Sequence, residues 1–139
     1  MVAAGVVAWL MLLSGYDIRQ RRLPNWLTLP AAVVVPVVAF GAGRGAAALA
    51  GAAALAAAYL VVHLIAPAGL GAGDVKLAVG LGALTGSFGA EVWLLAAVSA
   101  PLLTGLWGLI AAAASRARTV PHGPSMCLAS AVAAGLGIF

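Results

Sequence analysis

The sequence predicts an all-α, polytopic membrane protein of about six transmembrane helices, and three observations predict it. First, 65% of the 139 residues are hydrophobic and 7% are charged, with a mean hydropathy of +1.16. An ordinary soluble domain carries roughly 25% charged residues. Second, apolar runs recur along the whole chain, separated by short polar gaps. About 20 apolar residues cross the ~30 Å hydrocarbon core, so the chain holds about six short helices with tight loops in one domain, residues 1–139. Third, the seven Lys and Arg residues sit mainly in those gaps, where they act as topology signals. The expected surroundings are therefore a lipid bilayer, with no nucleic-acid partner.

The first apolar run, residues 1–16, lacks the basic start of a signal peptide and is read as a retained span. It ends at Asp17 and the basic cluster Arg19, Arg21, Arg22. Leu23-Pro24-Asn25 then breaks the helix, because proline fixes its own φ and disfavours helix at the residue before it. A second run, 26–40, opens on Trp26 as an interfacial anchor, has Pro30 and Pro36 as expected kinks, and closes at the glycine-rich turn 41–45. The third run, 46–66, is mostly alanine and leucine, small enough for neighbouring backbones to approach closely. Residues 67–73 are expected to unwind. The fourth run, 75–88, is too short to cross alone and carries the packing pair Gly82 and Gly86. The fifth, 92–114, is long, and 125–139 forms the last.

Charge orients these spans. With six alternating spans, one face collects Arg19, Arg21, Arg22, Lys76, Arg116 and Arg118, and the other only Arg44 and Glu91. The positive-inside rule makes the first face cytoplasmic. It also places Asp17, at the end of span one, and Asp74, at the start of span four, on that side.

The chain has three acidic residues, Asp17, Asp74 and Glu91. A carboxylate in a spanning segment costs roughly 2.5–3.5 kcal/mol on insertion scales, so it marks a functional site by default. Asp17 falls at a helix C-terminus, where the macrodipole disfavours negative charge. Asp74 suits a helix N-cap, but Gly71 and Gly73 beside it would also let an extended backbone come close. Two carboxylates in one low-dielectric site share a proton, so one serves as base and the other as acid. That is the equipment for activating water against an amide. Lys76 projects away from Asp74 as an interfacial anchor or substrate contact. The alternative from another class is a small carrier or proton-conducting protein in which the two acids form a relay.

Asp17-Ile18-Arg19, Leu23-Pro24-Asn25, Gly71-Ala72-Gly73-Asp74-Val75-Lys76-Leu77 and Pro121-His122-Gly123-Pro124 resemble, in order, the motifs of the type IV prepilin peptidases, intramembrane aspartic proteases of the GxGD type. The resemblance covers the whole chain. It implies that Asp17 and Asp74 are the catalytic pair. Arg19, Pro24, Asn25, Gly71, Gly73 and Lys76, with Pro121, Gly123 and Pro124, would shape the site or bind substrate. The implied substrate is a pilin-like precursor, cut after a glycine between its basic leader and its hydrophobic helix, at the cytoplasmic face of the bacterial plasma membrane. Presenilin and signal peptide peptidase use a similar pair, but on adjacent helices of longer chains, whereas two complete runs separate Asp17 from Asp74 here.

The chain departs from the family pattern in places. Leu23 stands where isoleucine is usual, and His122 where phenylalanine is common. Many members have an N-terminal region with paired CxxC motifs, associated with N-methylation. This chain looks like the short peptidase-only form, as in tight-adherence pilus systems, without methyltransferase activity. One cysteine, Cys127, rules out a CxxC zinc site and an internal disulfide. His63 and His122 lack neighbours at ligand spacing, so no metal and no cofactor is expected. No serine has the partners of a triad.

Overall fold

The computed structural model describes residues 2–20, 24–66, 71–114 and 122–138. They form six helices and no strand: α1 Val2–Gln20, α2 Asn25–Gly41, α3 Gly45–Ile65, α4 Ala72–Gly86, α5 Ala90–Ala113 and α6 Gly123–Ile138. The all-helical expectation holds among these residues. Arg21, Arg22, Leu23, Pro67, Arg116, Arg118 and Pro121 lie outside the described residues.

Two helix boundaries differ from the sequence reading by more than two residues. α1 runs past Asp17 to Gln20, because polar residues end an apolar run without ending a helix. α4 starts at Ala72, so Gly73 is helical rather than unwound. Gly71 caps that helix in an extended conformation, φ −76° and ψ 157°. The Asp74 N–H donates to the Gly71 carbonyl at 3.1 Å, and the Asp74 carboxylate accepts a backbone hydrogen bond from Gly71. This is the return half of a capping box, which secures an early turn.

Other ends follow local chemistry. Pro24 precedes α2 with φ −71° and ψ 141°, and its carbonyl accepts from the N–H groups of Leu27 and Thr28. α2 stops in a Schellman motif, with Gly43 at φ +76°. There Arg44 N–H donates to Ala39 O at 2.7 Å and Gly43 N–H to Phe40 O at 3.0 Å, satisfying carbonyls that a helix end leaves open.

α4 is the innermost helix, packed against α2, α3, α5 and α6. At 15 residues it is about 22 Å long, and Leu77, Ala78, Leu81, Ala83 and Thr85 are wholly buried. Its closest neighbour is α3. A Cβ on Gly82 would lie 2.5 Å from the Gly51 carbonyl oxygen, one on Gly86 2.8 Å from Ala47 O, and one on Gly51 would run into Gly82 O. The two backbones touch because none of the three positions has a side chain. Trp93 of α5 seals this seam by donating Nε1–H to Gly51 O at 3.0 Å.

The outer faces are apolar. Met11, Leu64, Ile65, Leu102 and Leu109 are each at least two-thirds exposed, as suits hydrocarbon rather than water. Gly45–Ile65 and Ala90–Ala113 are long and apolar enough to cross a membrane, while Asn25–Gly41 and Gly123–Gly137 are shorter apolar helices.

Candidate functional site

Asp17 lies on α1 one turn before its end and is 6% exposed. Its Oδ2 accepts a hydrogen bond from the Gly123 N–H at 2.8 Å. Gly123 is the first residue of α6, so the positive N-terminal end of one helix compensates the unfavourable C-terminal end of another. A Cβ on Gly123 would strike the Asp17 carboxylate. That position is glycine because the acid occupies the space.

Asp74 stands in the first turn of α4, half-buried. It too has a helix N-terminus to itself. The two carboxylates, carried by different helices, are within electrostatic reach of each other. Both also act on Cys127, whose thiol is hydrogen-bonded with Ser14, and Asp74 acts on Tyr59. The two aspartates thus stand one at the start of α6 and one at the start of α4.

Among the expected site-shaping residues, Gly71 and Gly73 flank Asp74 at the start of α4. A Cβ on Gly71 would sit 3.9 Å from Asp74 Oδ2, an ordinary contact. Gly71 is exposed, leaving its backbone open beside the acid. Lys76 and Asn25 are exposed and paired, with Lys76 Nζ donating to Asn25 Oδ1 at 2.9 Å. This bond joins α2 to α4 next to Pro24, and it explains the lysine without a charge partner. Arg19 is exposed in the last turn of α1 and lines a shallow groove with Gly15, Tyr16 and Gln20. Pro124 is in the first turn of α6, where the absent N–H is not needed.

Two residues that sequence reasoning passed over, Tyr59 and Thr104, hold His122, the residue before Gly123. Tyr59 Oη lies 2.7 Å from His122 Nε2, and Thr104 Oγ1 2.5 Å from His122 Nδ1. Burial pushes His122 down to about 4, so its ring is neutral at neutral pH. Among the described residues no three His, Cys, Asp or Glu side chains gather as a metal site would require.

The described residues thus define an all-helical protein with apolar outer faces, two helices long and apolar enough to cross a membrane, and an aspartate on each of α1 and α4. Residues 4–138 match the type IV leader peptidase family, and the chain belongs to that family. Membership assigns it a peptidase activity and a membrane association. No curated protein and no solved structure matches the chain.

Proposed function

We propose that the protein is an intramembrane aspartic endopeptidase that removes the basic leader from a pilin-like precursor, with Asp17 and Asp74 as its catalytic pair. One observation carries this reading. In a member of a peptidase family, the only two aspartates come from separate helices, sit at two helix N-termini and feel each other's charge.

The chemistry follows from one shared proton. The ionised carboxylate takes a proton from water as that water attacks the scissile carbonyl, and the protonated one passes its proton to the departing amine. Donors already fixed on the carboxylates, the Gly123 N–H on Asp17 and the Gly71 N–H on Asp74, need no rearrangement during reaction. The exposed Gly71 backbone gives an extended substrate room beside Asp74. The cluster of basic residues on one set of loops supports a cytoplasmic site in a multi-span bundle. Family membership favours this reading over a proton relay.

The test is incubation of the purified protein in liposomes with a precursor that joins a basic leader, a glycine and an apolar helix. Mass spectrometry of the product is expected to find a single cut after the glycine. An intact precursor, or cuts scattered through the leader, would refute the reading.

A further inference from the structure

Two helices meet on the imidazole of His122, the residue that precedes a third. Tyr59 of α3 faces Nε2, Thr104 of α5 faces Nδ1, and the Tyr59 and His122 rings lie 5.4 Å apart, tilted by 46°. The Thr104 hydroxyl is also 3.1 Å from the Ala100 carbonyl. A hydroxyl has one hydrogen and a carbonyl only accepts, so Thr104 donates to Ala100 and accepts from Nδ1–H. A neutral imidazole has one N–H. Nε2 is therefore the acceptor, and Tyr59 donates its hydroxyl hydrogen to it.

The backbone of the same residue launches α6. The His122 carbonyl accepts from Met126 N–H at 3.0 Å, and the next N–H, that of Gly123, donates to Asp17 Oδ2. A ring held on both nitrogens fixes the peptide that follows it.

We propose that His122 is a positioning residue for Asp17: anchored by Tyr59 and Thr104, it aims the Gly123 N–H at the Asp17 carboxylate. This rests on the reading of Asp17 as one of the two catalytic acids. The polar link also gives Tyr59, a hydroxyl within electrostatic reach of Asp74, a hydrogen-bond partner in His122. The network thereby ties α3 and α5 to the residue that precedes α6.

Phenylalanine is the informative substitution, because it keeps an aromatic ring and removes both nitrogens. Steady-state cleavage in liposomes would compare the parent with His122→Phe, His122→Gln, Tyr59→Phe and the Tyr59→Phe/His122→Phe double variant. His122→Phe is expected to lower kcat about tenfold with KM held within about twofold, the mark of an interaction that acts on the reacting groups rather than on binding. His122→Gln should recover most of kcat, since its amide oxygen accepts from Tyr59. The double variant should be no slower than His122→Phe alone, because both changes cut one bond. Parental kcat in His122→Phe, a glutamine variant as slow as phenylalanine, or losses that multiply in the double variant would each overturn the proposal. If His122→Phe fails to fold, His122→Gln and Tyr59→Phe make the same comparison. A parent that cleaves nothing would sink the protease reading instead. Hydrogen exchange at the Gly123 amide would then judge His122: faster exchange in the variants supports the anchor, and unchanged exchange overturns it.

Discussion

The α3–α4 seam and the α1–α6 junction are both tight contacts between helices, but opposite means hold them together. At the seam Gly51, Gly82 and Gly86 have no side chains and backbone lies on backbone. At the junction, Asp17 fills the space that Gly123 leaves and is held there by a hydrogen bond. The seam fixes α4, and so Asp74, by shape. The junction fixes Asp17 by polar contacts, in surroundings where an unmet polar group is costly. Backbone packing at the one and a hydrogen bond at the other each hold one carboxylate in place.

The comparison breaks most visibly at the seam. Gly82→Val places its Cβ against the Gly51 carbonyl and backbone that cannot yield, so a loss of about 3 kcal/mol is expected, the upper end for overpacking. Fraction folded in a denaturing-detergent titration would read it, and a parental midpoint would show that the helices are free to separate. At the junction, Gly123→Ala is expected to slow cleavage about a hundredfold, equivalent to about 2.7 kcal/mol in the barrier, with a smaller change in that midpoint. Equal damage to both would make Gly123 a packing residue like Gly82. The smallest effect belongs to Lys76→Met, which removes an exposed hydrogen bond to Asn25 and should cost stability of about 0.5 kcal/mol. A loss as large as at the seam would place Lys76 within the core framework.

The same contrast explains what was legible in the sequence. Apolar runs betray helices, and glycines spaced four apart betray close packing, so α4 and its Gly82–Gly86 pair were readable. Gly51 was hidden in a run where nearly every residue is small. Asp17 and Asp74 stood out because acids are scarce and costly in such a chain. The extension of α1 to Gln20 was missed because hydropathy, rather than a helix breaker, set the expected end. The His122 network was invisible because its partners lie 63 and 18 residues away. No local pattern links a tyrosine inside one apolar run to a threonine inside another, and His122 was weighed as a metal ligand and as a departure from the family's usual phenylalanine.

The central claim is that Asp17 and Asp74 act as a pair. The most direct measurement is the rate at which Asp17→Asn and Asp74→Asn, each inserted in liposomes at the parent's level, cleave a pilin-like precursor. Each variant is predicted to lose cleavage by at least about a thousandfold, as removal of a group that acts as part of a unit does, and the double variant should be no worse than either. Cleavage at the parental rate in either single variant would contradict the account.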